Sequence, residues 1–357
     1  MVHDYRSNFR ETRPNVICRS ELDTFVVSAT TGSLPLFSTA MASPMSKQHI
    51  LNCSFSSWYN CFQHVSIPSK IIPLEDEFVS YLLADGIYLP DSSGSGDSDD
   101  SENNVQAKRQ QFPELQSLIE NKIQDLGGSV FPKLNWSSPK DAAWIAAGNT
   151  LRSYNFNEIF ILLKSSDFVT HDLTMPFELC ENQSKDDLRY ELILRKWMEI
   201  NPSMEFRVFV KNDSIVGISQ RETSTYYDTV ASHAAEIQEE IEAFFDKFIC
   251  SKFFDTSYVF DIYRREKNDI ILIDFNPFGG VTDSLLCDWN ELFSDGPQEE
   301  NVFLYVDSPG HVQPSPYLTY GFPKEYVDLA SPDAAKLVEA LKMENVKQRP
   351  GQRDTET

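Results

Sequence analysis

The sequence predicts an α+β protein with antiparallel sheets. Two hairpin signatures carry that prediction: FRVFVK-ND-SIVGISQR (206–221), with Asn-Asp between alternating apolar runs, and SYVFDIYRREKNDIILIDFNPF (257–278), a strand pair around a polar turn. Helical spacing elsewhere supplies the α component, most clearly in HAAEIQEEIEAFFDKFI (233–249), and 357 residues suffice for two lobes.

Residues 1–47 mix Ser, Thr and Pro without sustained periodicity and read as a disordered extension, with Met41 and Met45 as alternative starts. Aromatics cluster in HILNCSFSSWYNCF (49–62), as in a buried helix start or strand. EDEFVSYLLADG (75–86) is a short amphipathic helix with Gly86 as its stop, and FPELQSLIENKIQDLGG (112–128) is a helix ended by Gly127 and Gly128. Between them DSSGSGDSDDSENN (91–104) has five acids, no base and nothing to bury, so it is a solvated insert. SVFPKLNW (129–136), IFILLKSSD (159–167) and RYELILRKW (189–197) read as strands, with DAAWIAAGNT helical between the first two. From about residue 331 the chain is charged and lacks aromatics, as a frayed helix and loose tail would.

Composition narrows the function classes. The net charge of −23, still −18 without the acidic insert, opposes sequence-independent nucleic-acid binding, which needs a basic excess to release counterions. No apolar run reaches the length of a membrane span, no secretory leader is evident, and six scattered cysteines without a CxxC pair fit reduced thiols. His3, His49, His64, His171, His233 and His311 show no zinc spacing, and P-loop, Rossmann and nucleophile-elbow patterns are missing.

The sharpest chemical feature is Asp261 on one strand and Asp274 with Asn276 on the next. Asp274 and Asn276 are two apart and share a face. A four-residue turn, Glu266 to Asp269, pairs Arg265 with Ile270 and sets Asp261 opposite Asp274. Facing carboxylates repel, and a hard cation such as Mg2+ removes that cost. An odd count in the turn would instead aim the acids apart, and a sheet edge would leave them in water.

Cations form a second constellation. Lys133 follows a strand, Lys140 lies in a polar turn after WSSP, and Arg195 and Lys196 close a strand beside Trp197. In the first hairpin a regular two-residue turn puts Arg207 on one face with Gln220 and Ile218, and Arg221 on the other unless a bulge intervenes. Glu205 is a further ligand or an arginine's partner. A phosphate chain held by Mg2+ needs such cations on its remaining oxygens, and the edge LRKWM (194–198) offers an apolar slot for a base. Singly, each is better explained as a solvated strand end, the usual case for a Lys or Arg there.

The segments LGGSVFPKLNWSSPKDAAWIA, ILLKSSDFVTHDL, YELILRKW, EFRVFVK with IVGISQR, and VFDIY followed by LIDFNPFGGVTDSLL resemble the cell-division-cycle protein 123 family, as does QPSPYLTYGFPKEYVDL (313–329). The resemblance spans about residues 48 to 330. It implies an ATP-grasp-like fold, two α+β lobes with antiparallel sheets clamping Mg-ATP: an N-terminal lobe 48–197 carrying the insert and a C-terminal lobe 198–330. It implies metal ligation by Asp261, Asp274 and Asn276. It also implies nucleotide contacts from Lys133, Trp136, Ser138 and Lys140, from Arg195, Lys196, Trp197 and Met198, and from Glu205, Arg207 and Arg221. Ser138 and Met198 sit where variation is expected, so their contacts are through the backbone.

The function the resemblance implies is that of an ATP-dependent, cytoplasmic assembly chaperone supporting translation initiation and the cell cycle; the sequence itself shows no exposed heptad, as expected of a monomer. It would bind the gamma subunit of translation initiation factor 2 and promote its joining with the alpha subunit, without contacting nucleic acid or membrane. The competing expectation is an ATP-grasp ligase joining a carboxylate to an amine or thiol through an acyl phosphate.

Overall fold

A computed structural model of the chain describes residues 45–84, 112–186, 188–294 and 303–314. The acidic insert, Gly86, the tail from 331, most of the 313–329 segment and nearly all of the N-terminal extension lie outside the described residues. Two compact units form, Ser46–Glu199 and Ile200–Gln313, each with its own antiparallel-rich sheet and helices, so the α+β class expected from the hairpins is what the chain adopts.

The N-terminal unit begins with α1 (Lys47–Asn52) and α2 (Phe55–Phe62), so the aromatic cluster is helical; Phe55, Trp58 and Phe62 recur on one buried side of α2. Next come β1 (Ser69–Pro73), α3 (Asp76–Leu83) and α4 (Pro113–Asp125). Gly127 and Gly128 take φ of +97° and +86°, and Gly128 N–H bonds back to the Ile123 carbonyl, closing α4 in the left-handed conformation glycine allows. β2 (Val130–Lys133) leads to a 3-10 turn over Lys140–Ile145, tighter than the helix expected for DAAWIAAGNT.

The stretch expected as a strand over 159–167 is instead α5 (Phe156–Lys164) followed by α6 (Asp167–Thr174). An all-apolar run fits either element, and capping decides. The Asn155 side chain accepts from Glu158 N–H at 3.0 Å, Glu158 reaches back to Tyr154 N–H at 2.6 Å, and Ser166 caps α6. β3 (Glu191–Lys196) is the central strand, in the order β1-β3-β2. Its Leu192 and Leu194, with Ile72 and Val130, join the core of Phe78, Phe156, Phe160, Ile119 and Ile123. Alternation sends Ile193, Arg195 and Lys133 to the other face.

The C-terminal unit is a five-stranded sheet, ordered β7-β6-β4-β5-β8. β4 (Glu205–Lys211) and β5 (Ser214–Gln220) meet at Asn212 and Asp213, both with positive φ, as a two-residue hairpin turn requires. After β5 the chain forms α7 (Asp228–Phe244) with one turn of π-helix, then β6 (Tyr258–Glu266) and β7 (Asp269–Pro277), α8 (Trp289–Phe293) and β8 (Phe303–Leu304), the last parallel to β5. Among the described residues no helix is long and apolar enough to cross a membrane, and Cys53, Cys61, Cys180, Cys250 and Cys287 are free thiols.

The sheet face bearing Phe206, Val208, Phe260 and Ile262 is fully buried, and Phe245, just past α7, stacks on Phe260 at 6.1 Å. A charged clasp fixes α7 to the β6–β7 hairpin. Arg264 donates twice to Glu240 at 2.9 Å, and Glu240 also accepts from Asn268 N–H at 3.0 Å. The hydrogen bonds from Arg264 hold the Glu240 carboxyl below its ordinary value.

A carboxylate with a lowered folded pKa stabilises above its ordinary value of 4.5 and loses that contribution as pH falls through the folded value. Glu240→Gln is therefore expected to cost about 2 kcal/mol at pH 7 by denaturant titration. The deficit should shrink below pH 4.5. An equal deficit at pH 7 and pH 3 would contradict the clasp.

Candidate phosphate and cation site on the C-terminal sheet

Two bulges decide which side chains meet on the open face of this sheet. In the β4–β5 hairpin, Phe209 pairs with Gly217 but Val210 with Ile215, so Val216 is an extra residue. The slip pairs Arg207 with Ser219, not Ile218. It therefore moves Ile218 and Gln220 to the face opposite Arg207 and brings Arg221 onto the same face, reversing the arrangement of a regular hairpin. In the β6–β7 hairpin the turn is shorter than expected, Arg264 and not Arg265 pairing with Ile270, and Ile273 is a compensating extra residue on β7. The two irregularities cancel, and Asp261 lies opposite Asp274 as the sequence register had it.

One row across the sheet therefore reads Ser219, Arg207, Asp261, Asp274. Asp261 is 3% exposed and Arg207 5%. Arg207 grips both carboxylate oxygens, Nε to Oδ1 at 2.7 Å and Nη2 to Oδ2 at 2.9 Å, while its Nη1 donates to the Asp283 carbonyl at 2.7 Å. Arg221 Nη1 adds a bond to Asp261 Oδ2 at 3.0 Å, and Asn276 Nδ2 another at 3.2 Å. Glu205 Oε2 lies 3.7 Å from Arg221 Nε.

Asp261, Asp274 and Asn276 thus come together with Glu205, Arg207 and Arg221. One expectation changes: the charge of Asp261 is offset by two guanidinium groups, so relief of carboxylate repulsion does not by itself call for a cation. Among the described residues no group of three or more His, Cys, Asp or Glu is arranged to hold a metal. The donor set here is two carboxylates and an amide, all-oxygen chemistry of the kind Mg2+ takes alongside water and phosphate.

One end of this face is closed. Phe209 and Val259 pack under Leu292 and Trp289, and a Cβ on Gly217 would stand 3.1 Å from Leu292 Cδ2 and 3.3 Å from Cys287 Sγ. A larger residue there would have to push those side chains back, and burial pushes the Cys287 thiol up to about 12.

In the N-terminal unit the other expected residues divide into buried and accessible sets. Lys133 is 1% exposed and Arg195 5%, with Nζ and the guanidinium carbon 5.4 and 5.1 Å from the centre of the Phe55 ring. These two are not solvated strand ends, and the aromatic beneath them is a partner the sequence reading missed. Lys196 is exposed; Trp197 is half-buried, bonds Glu199 through its indole at 2.9 Å, and lies beneath the Arg152 guanidinium; Met198 is half-buried beside it.

The KLNWSSPK loop carrying Trp136, Ser138 and Lys140 is pinned at several points. Trp136 donates to the Ile50 carbonyl at 2.9 Å, Asn135 bonds the Arg189 carbonyl and Glu191 N–H, and Asp172 of α6 takes both Ser137 N–H and Ser137 Oγ at 2.8 Å. Burial raises the Asp172 carboxyl, opposed by these Ser137 bonds and by the charge of Lys133. Asp172 escaped the sequence reading because it lies on the helix that followed the misassigned strand.

The D123 family model matches residues 58–330. A translation initiation factor eIF2 assembly protein of Xenopus tropicalis is 46% identical over 325 residues, 84% of this chain and 97% of the relative; that of Danio rerio is 39% identical over 334, 85% and 96%. The structure of Cdc123 from Schizosaccharomyces pombe superposes with a TM-score of 0.64 at 34% identity, covering 73% of this chain and 98% of that one. Shared sequence along the whole matched span and a shared fold lead to one conclusion: the chain belongs to the D123, or Cdc123, family.

Proposed function

We propose that this protein is an assembly factor for translation initiation factor 2, and that Mg-ATP is its ligand. The observation that carries the first part is 46% identity to a protein named as an eIF2 assembly protein, across 97% of that relative's length. In finer detail the protein binds the gamma subunit in the cytoplasm as a monomer, favours its joining with the alpha subunit, and so supports initiation and cell-cycle progression.

The second part is supported by the row on the C-terminal sheet. Asp261, Asp274 and Asn276 present oxygen donors on adjacent strands, and Arg207 and Arg221 flank them with charge that phosphate oxygens accept. In this reading Asp274 and Asn276 hold the cation together with Asp261, while Arg221 bonds the phosphates and Glu205 positions Arg221. Lys133, Lys140, Arg195 and Lys196, with Trp136, Ser138, Trp197 and Met198, are the nucleotide contacts assigned to the N-terminal unit. Bound nucleotide supplies binding free energy that favours one conformational state, and that role needs no hydrolysis.

Two outcomes are expected. Asp274→Ala keeps the fold, judged by circular dichroism, and loses Mg-dependent ATP binding by calorimetry; undiminished ATP affinity in the folded variant would contradict the site. Heterotrimer formation from separated factor 2 subunits is faster with the chain than without it, and the chain co-purifies with the gamma subunit. An equal rate in its presence and absence would contradict the assembly role, and steady ADP release without any subunit would point to a ligase.

A further inference from the structure

One oxygen of Asp261, Oδ2, is already fully engaged before any ligand is considered, while Oδ1 takes Arg207 Nε. An ionised carboxylate has about four lone-pair positions, two on each oxygen. Oδ2 of Asp261 accepts from three donors, Arg207 Nη2, Arg221 Nη1 and Asn276 Nδ2, at 2.9, 3.0 and 3.2 Å. A divalent cation approaching that oxygen has to displace one of them, and it also meets two guanidinium charges.

The three donors are not equally held. Arg207 is locked, its fork on both oxygens of Asp261, its third nitrogen on the Asp283 carbonyl and its side chain 7% exposed. Asn276 sits on β7 opposite Val259 and is the same residue that offers an amide oxygen to a cation once its side chain turns over. The Arg221 side chain is 21% exposed, follows the end of β5, and has a second carboxylate, Glu205, 3.7 Å from its Nε. It has solvent to move into and an anion to remain beside.

Resting on the nucleotide reading above, we propose that Arg221 is a place-holder for the cation: it occupies Asp261 in the unliganded protein and is drawn off by the phosphates of a nucleoside triphosphate, which opens Asp261 to the divalent ion. Phosphate oxygens bond a guanidinium at least as well as a carboxylate does, so the exchange keeps Arg221 in a charge-assisted bond throughout. Cation and triphosphate then bind cooperatively, and by reciprocity each strengthens the other by the same factor. The divalent ion alone binds weakly because Arg221 competes with it.

The test is calorimetric titration of the full chain with Mn2+ alone and with Mn2+ in the presence of a non-hydrolysable ATP analogue, for the native protein, Arg221→Gln and Arg221→Lys. Mn2+ alone is expected to bind Arg221→Gln at least about fivefold more tightly than the native chain, and the strengthening of Mn2+ binding by the analogue is expected to shrink by at least about the same factor. Arg221→Lys, which keeps the charge without the fork, is expected to lie between them, and it preserves the comparison if Arg221→Gln fails to fold. Mn2+ binding to a folded variant that is no tighter than native, while the native chain still binds the analogue, would overturn the place-holder alone. A native chain that binds neither Mn2+ nor the analogue would overturn the nucleotide reading, and the place-holder with it.

Discussion

The arrangement of the C-terminal unit depends on one buried ion pair, the two-pronged grip of Arg207 on Asp261. Both groups are almost wholly out of water, where an unpaired charge is costly and a well-matched pair is tolerated. The pair joins the central strands β4 and β6 side chain to side chain, and the third nitrogen of Arg207 extends the hold to the 278–288 loop through the Asp283 carbonyl. Asp274, Asn276 and Arg221 take their places around it. Without the arginine, Asp261 and Asp274 would face each other as like charges across adjacent strands.

Register makes that pair possible, and it was legible only in part. The Asp261–Asp274 alignment follows from the spacing of acids around a polar hairpin turn, and it survives because the extra residues Arg265 and Ile273 cancel. Arg221 is different. Its position depends on the bulge at Val216, and a single extra apolar residue within SIVGISQ leaves the alternation too short to show the slip. The packing of Gly217 against Leu292 and Cys287 is a tertiary reason for a bend at that point, invisible from sequence because α8 lies some seventy residues further along.

The N-terminal unit teaches the same lesson with helices. FILLK is apolar at every position but one and fits a buried strand as well as a buried helix; Asn155 and Glu158 settle the matter through a reciprocal cap at its start. The glycine stop after α4 was readable because Gly127 and Gly128 have a direct backbone consequence. The burial of Lys133 and Arg195 over Phe55 was not, since nothing in the local pattern of α2 says which sheet face it will cover. The segments that carry the resemblance include side chains held by long-range bonds, such as Asp172 of α6 to Ser137 and Arg207 to Asp261.

If the ion pair is the constraint on which the site depends, its two members must be energetically coupled. The most direct measurement is a double-mutant cycle on folding stability with Arg207→Met and Asp261→Leu, read by chemical denaturation. The account predicts that Asp261→Leu loses about 3–5 kcal/mol, because it strands the buried Arg207 charge. Arg207→Met, which leaves Asp261 with Arg221 and Asn276, is expected to lose less, and the double variant clearly less than the sum of the two. Additive losses of under about 1 kcal/mol each would show two independent surface-like charges, and the arrangement of Asp274, Asn276 and Arg221 would need another cause.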